Sequence, residues 1–281
     1  MKLKPRKAPG IDGVTNGAPR HLNMKTITAL TRLYNAILRP GYFPQAWKEG
    51  LVVRLPKAAK SPRRPESYRP ITLLSAVAKL FEKLFFALFS PHIPPRNAQY
   101  GFRSGHSTTL HVVKVVHHAA HTLNRKESAT AAFLDVSHAF DRVLHAGLLH
   151  KVLKAGTPHH VVLTLASFLN NRTFRVRVES ARSSSHSIAA GVPHGIILSP
   201  ALYSLYTDDI PVQQGTQLAL YVDDKHAATK LQRALDLLPD WLAEWKLTLR
   251  VAKTLAISFG RHNLYPPPCQ FRLLSRGDLG R

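Results

Sequence analysis

Thiol chemistry is the first thing this chain lacks. Cys269 is the only cysteine among 281 residues, which excludes a disulfide framework, a thiolate zinc site and a redox pair. Acids are scarce too: 16 Asp and Glu stand against 39 Lys and Arg, a formal charge of +23. No long hydrophobic run is present. The most apolar stretch, KLFEKLFFALF, is interrupted by Glu82 and Lys83 and is too short to span a bilayer. The N-terminus, MKLKPRKAPG, is charged but has no apolar core, so no secretory signal is visible. The expectation is an intracellular protein, in nucleus, cytoplasm or both, with no membrane partner. None of the 16 histidines stands in a recognisable metal-ligand spacing, and pairs such as His117-His118 read as surface or core fillers.

What is present describes a globular chain, at 44% hydrophobic and 20% charged residues. The basic excess runs from end to end. It fits solubility or compositional drift, and it also fits a polyanionic partner, because phosphates release counterions when Lys and Arg neutralise them. No internal repeat is apparent. Apolar residues at helical spacing after Asn23, and again over 74–89, 107–123, 145–155 and 158–170, predict helices. EGLVVRLPK, TAAFLDV, TFRVRVE, QLALYV and LAISFG read as strands, and AAKSPRRPESYRP as a basic loop. LSPALYSLYTDDIP reads as helical, and 228–246 as a helix with Pro239 inside it. Helices mixed with hairpins make an α+β fold.

Two acidic pairs invite comparison. Asp208 and Asp209 close a helix and run into Pro211, the position of loop or cap residues. Asp223 and Asp224 follow the buried run Leu218, Leu220 and Val222, where two anions need compensating cations. A third acid, Asp135, ends the other buried strand, AAFLDV. Carboxylates at the ends of two strands lying side by side would hold two Mg²⁺ about 4 Å apart. Acidic strand ends without metal are the commoner arrangement, and spacing alone leaves both readings open.

Seven motifs settle the comparison differently. KAPGIDGVTN, YRPITLLSAVAKLFEKL, QYGFRSGHSTT, AFLDVSHAFDRV, GVPHGIILSP, LALYVDD and WKLTLRVAKT follow one another in this order. Together, through nearly all of residues 5–262, they resemble the reverse transcriptase domain of non-LTR retrotransposons, closest to the jockey clade of arthropod mobile elements. The resemblance implies a right-hand polymerase, with fingers and a palm whose antiparallel sheet packs on helices. It implies fingers and palm connection in 1–125, palm in 126–262, a Pro-rich disordered tail in 263–281, and a missing or truncated thumb. It also implies an RNA template, a DNA primer, deoxynucleoside triphosphates and two Mg²⁺ or Mn²⁺ ions; oligomeric state is left unknown. Carried across by motif, Asp135, the carbonyl of Val136, Asp223 and Asp224 hold the metals. Lys57 and Arg69 grip the incoming triphosphate, and Lys253 protonates or neutralises leaving pyrophosphate. Phe140 blocks a ribose 2′ hydroxyl, with a plain core Phe as the alternative. Gly191, Pro193, His194 and Gly195 shape the loop beneath nucleotide and template.

Departures from the family pattern sit close to this chemistry. His194 replaces the usual Gln, and Ile196 the usual Ser. Lys225 and His226 follow the acidic pair where Thr and an apolar strand are usual, and an ammonium there would compete with Mg²⁺. The returning strand looks about ten residues short, outside the usual scatter of hairpin connections. Arg250 and Val251 stand where Asn and Pro are favoured. Pro239 inside a helix would cost about 3 kcal/mol. Two functions follow as expectations: an RNA-directed DNA polymerase core, or a catalytically impaired nucleic-acid-binding remnant of one.

Overall fold

The computed structural model describes residues 3, 8–57, 61, 63–64, 67–103, 105–126, 129–193, 196–212, 217–220, 225–228 and 235–259. In chain order the elements are α1 (Met24–Leu38), β1 (Glu49–Pro56), β2 (Tyr68–Leu73), α2 (Ala76–Phe89), α3 (Thr108–Asn124) and β3 (Ala129–Leu134). They continue with α4 (His145–Lys154), α5 (His159–Leu169), β4 (Arg172–Val178), β5 (Ala181–Arg182), β6 (His186–Ile188) and α6 (Leu198–Tyr206). The last described are β7 (Gln217–Leu220), β8 (Lys225–Ala228), α7 (Leu238–Glu244) and β9 (Leu255–Phe259). The α+β class is thereby met.

These elements gather into two compact units, neither a continuous piece of chain. One comprises 1–94 and 144–203, the other 95–143 and 204–281. The first unit is built on a mixed sheet in the order β2-β1-β4-β5, with β6 also on β4. Strands β1 and β2 are antiparallel, Leu51 facing Leu73 and Pro56 facing Tyr68, whereas β1 and β4 run parallel. β2 begins inside the stretch read from sequence as basic loop, its first three residues, Tyr68 to Pro70, being the last of that stretch. Pro70 sits within it, and an edge strand tolerates a residue that donates no ladder hydrogen bond.

Helix α2 shows why this unit holds together. Ser75 caps it, its hydroxyl accepting from the amides of Val77 and Ala78. Phe81, Phe85 and Phe89 recur at four-residue spacing, so one buried stripe stacks at 6.1 and 6.0 Å between ring centroids. Phe43 packs edge-on against Phe81 and Phe168, at 5.7 and 5.1 Å. Tyr34 joins the cluster 5.4 Å from Phe81, and its hydroxyl donates to the carbonyl of Val77. Burial pushes that phenol up to about 12. Glu82 shares the stripe. It is fully buried, not solvent-facing as a charge interrupting an apolar run would suggest.

The second unit holds an antiparallel sheet in the order β7-β8-β3-β9. β7 and β8 pair over four residues each, from Gln217 against Ala228 to Leu220 against Lys225. The strand leading to Asp223 and Asp224 therefore does not neighbour β3; the returning strand β8 stands between them. Pro239 also differs from expectation. α7 starts at Leu238, which places this proline in the first turn, where no amide partner is required and the helix-interior penalty does not apply. Among the described residues, no helix is long and apolar enough to cross a membrane.

Candidate active site at the end of strand β3

β3 is placed centrally, between β8 and β9, because its residues are small and apolar: Ala131, Ala132 and Leu134 are buried. The chain leaves the strand at Asp135, 8% exposed. A single bridge then joins Val136 to Leu249. Its two hydrogen bonds run from the Arg250 amide to the Asp135 carbonyl, 2.7 Å, and from the Ser137 amide to the Thr248 carbonyl, 2.8 Å. Neither uses the carbonyl of Val136. After Ser137 the backbone turns sharply, with His138 in the left-handed region at φ 50°. Phe140 lies half-buried in that turn.

Two cations flank the Asp135 carboxylate. Arg250 Nη1 stands 3.5 Å and Lys253 Nζ 3.8 Å from Oδ2. Lys253 follows in the short turn Val251–Lys253, its amide donating to the Arg250 carbonyl at 3.0 Å. Oδ2 is nevertheless buried without a hydrogen-bond partner among the described residues. A buried carboxylate oxygen with no hydrogen-bond partner among the described residues, one residue before the Val136 carbonyl, is the kind of donor that hard divalent cations take. The residues present thus fit such an ion. Among the described residues no group of three or more His, Cys, Asp or Glu converges on a metal position. Asp223 and Asp224 lie outside the described residues. Their neighbours do not: Leu134, immediately before Asp135, pairs with Lys225, immediately after Asp224.

Asp208 and Asp209 serve structure. Trp241 Nε1 donates to Asp209 Oδ1 at 2.9 Å, and Arg96 Nη1 donates to the carbonyls of Asp208 and Ile210. The loop role read for this pair is what is found.

The first unit carries the remaining candidates. The Lys57 amide donates to the Ser67 carbonyl at 2.7 Å, extending the β1–β2 pairing by one step. Arg69 faces Leu55 across that pairing. Alternate residues share a face, so Lys57 and Arg69 stand on one side at the end of the hairpin. Arg54 lies over the Tyr68 ring at 5.0 Å. Pro193 is buried in the loop preceding α6; His194 and Gly195 lie outside the described residues. That loop is anchored by side chains which motif reading had missed. His145 Nε2 bonds the Gly191 carbonyl at 2.8 Å, where Gly191 takes φ 89°, and Ser199 Oγ donates to the Pro193 carbonyl at 2.7 Å. Glu82 lies beside the same loop, near the backbone amide of Ile197, though neither of its oxygens makes a hydrogen bond among the described residues. Burial pushes its carboxyl up to about 7, against the opposing pull of Arg172, Lys79 and that amide.

Comparison with known proteins gives these features a context. The family described as Reverse transcriptase (RNA-dependent DNA polymerase) matches residues 55–271. The probable RNA-directed DNA polymerase from transposon BS of Drosophila melanogaster is 37% identical, over 93% of this chain and 31% of its own length. The RNA-directed DNA polymerase from mobile element jockey, of the same organism, is 36% identical over 92% of this chain and 30% of its own. The chain thus spans about a third of the curated relatives it matches. Among solved structures, apo telomerase from Candida tropicalis superposes with a TM-score of 0.55 at 12% identity, over 85% of this chain and 56% of that one. Telomerase from Candida albicans, in complex with a fragment of telomeric RNA, gives 0.55 at 13%, over 80% and 45%.

Proposed function

This chain belongs to the reverse transcriptase (RNA-dependent DNA polymerase) family, and from that premise we propose that it carries the nucleotidyl-transfer core of an RNA-directed DNA polymerase from a jockey-like retrotransposon. One observation supports the reading above the others. The strand end bearing Asp135 is paired with the strand that starts directly after Asp223 and Asp224 in the sequence, Leu134 facing Lys225. In this reading 1–125 contributes fingers and a connection to the palm, and 126–262 the palm.

Asp135, the Val136 carbonyl, Asp223 and Asp224 would hold divalent cations. Such ions, when bound, lower the barrier by activating a primer 3′ hydroxyl and offsetting charge on the transferred phosphate. The chain's own residues do the remainder. Lys57 and Arg69, on one face of their hairpin, bind the triphosphate of the incoming deoxynucleotide, where fixed cations suit charge that grows in the transition state. Lys253 gives a proton to departing pyrophosphate or neutralises it. Phe140 excludes a 2′ hydroxyl, and the loop at Pro193, His194 and Gly195 supports nucleotide and template. RNA template and DNA primer lie against basic surface.

Primer extension by the purified chain, on an RNA template with Mg²⁺ or Mn²⁺, tests this. Extension abolished by Asp135→Asn supports it; extension that survives that substitution overturns it. Template binding that weakens steeply with salt, with the slope set by phosphates neutralised, belongs to the same reading. A second reading keeps the fold and nucleic-acid binding but not turnover. The guanidinium of Arg250 beside Asp135 favours it, and that reading expects salt-sensitive binding without extension.

A further inference from the structure

Arg250 is tied to the site by more than charge. Its amide donates to the Asp135 carbonyl at 2.7 Å, so the backbones of the two residues cannot separate without breaking the bridge that aligns them. Its own carbonyl accepts from the amide of Lys253 at 3.0 Å and the hydroxyl of Thr254 at 3.2 Å, fixing the turn that follows. The guanidinium then stands 3.5 Å from an Asp135 oxygen that accepts no hydrogen bond among the described residues. Lys253, 3.8 Å away, is the more exposed, at 63% against 39%. Water screens the lysine more, and its flexible stem lets it leave. The arginine is planar, permanently charged and held from behind.

We propose that Arg250 is a built-in counterion that competes with a divalent cation for Asp135 and so sets the metal affinity of this site. The inference rests on the metal-site reading above and sharpens it. A dication approaching Asp135 meets a neutralised carboxylate and a neighbouring positive charge, and must push the guanidinium aside before it gains its ligand. Asn at this position, the residue that the jockey-like pattern favours, would keep the backbone bonds and remove the charge.

Free Mn²⁺ measured by electron paramagnetic resonance, during titration of the full chain, tests the proposal without requiring turnover. Arg250→Asn should bind Mn²⁺ about tenfold more tightly than the parent, the scale of a partly screened charge at this distance. Arg250→Lys, which keeps the charge, should bind as the parent does. Asp135→Asn added to Arg250→Asn should abolish the gain. Equal affinity in parent and Arg250→Asn overturns the proposal. So does weaker binding, which would make Arg250 a support for the carboxylate. A gain of equal size in Arg250→Lys would make shape, not charge, the cause and overturn it as well. Failure of both parent and Arg250→Asn to bind Mn²⁺ also ends it. Absence of primer extension alongside the expected gain would instead remove only the polymerase reading.

Discussion

Glu82 and Arg172 are 0% and 1% exposed, so their charges have no water to fall back on. Arg172 Nη1 donates to the Phe168 carbonyl at 3.3 Å and its Cζ lies 4.6 Å from the centre of that ring, yet among the described residues its Nε has no hydrogen bond, nor has either oxygen of Glu82. Burial outweighs attraction on both partners: the carboxyl is pushed up from 4.5 to about 7 and the guanidinium down to about 10. A carboxyl raised in the folded state contributes its full stability below its unfolded value and loses it as pH rises through the folded one. The window is therefore pH 4.5 to 7. At about 1.4 kcal/mol for each pH unit, the loss across it is about 3 kcal/mol. Glu82→Gln carries no such proton, so its urea-unfolding free energy relative to the parent should improve by about that amount between pH 5 and 8. Taking the difference cancels the contributions that the two proteins share. Arg172→Met, which strands the carboxylate, should cost about 3–5 kcal/mol at pH 8, and Glu82→Leu added to it should restore part of that. A parent and Glu82→Gln with parallel pH profiles would refute the argument, since burial of an ionising carboxyl is its only source.

Two further substitutions probe packing and the other acidic pair. A methyl group on Gly10 would meet the Leu74 carbonyl carbon at 2.5 Å and the Ser75 amide nitrogen at 2.6 Å, whereas Gly13, at φ 70°, has nothing within 4 Å. Thermal melts should show Gly10→Ala costing more than Gly13→Ala, because the first displaces backbone and the second bears only left-handed strain of about 1–2 kcal/mol; the reverse order would contradict the contact. Asp209→Ala removes the acceptor of the Trp241 indole and should cost about 1 kcal/mol in stability. Its Mn²⁺ titration should match that of the parent, and lost metal binding would mean that the wrong acidic pair had been assigned to structure.

The helices were legible because periodicity and caps agree locally: Asn23 takes the amide of Thr26, Ser75 those of Val77 and Ala78, and Ser107 that of Leu110. β2 was hidden because Pro70 and a basic neighbourhood argue against a strand. Only its edge position, a tertiary fact, makes that proline harmless. β5 and β6 span two and three residues, too short for any alternation to register. Pro239 was misplaced for a related reason. Apolar spacing continues through it, but residues 235–236 are helical, Leu237 breaks the run, and a new helix starts with the proline in its first turn.

At the site, order along the chain gave the acids and proximity gave the cations. Asp135 could be singled out because it ends an apolar strand, a one-dimensional signal. Arg250 lies 115 residues away, and its bearing on Asp135 comes from the Val136–Leu249 bridge, which no local pattern announces. Its substitution for Asn was visible in the motif, but a motif states which residue is usual and not what the replacement touches. The same holds for Glu82. A charge interrupting an apolar run suggests a solvent-facing acid, and both its burial and the proximity of Arg172, at the start of β4, come only from folding. Both cases follow from one property of the composition. With 39 cations and 16 anions, nearly any buried acid has several arginines and lysines available to it, so scarcity of acids makes each acid conspicuous while leaving its partner undetermined. Position in the fold chooses the partner: at Glu82 a buried arginine whose charge acts on it without a hydrogen bond, and at Asp135 two flanking cations with one oxygen left unbonded among the described residues.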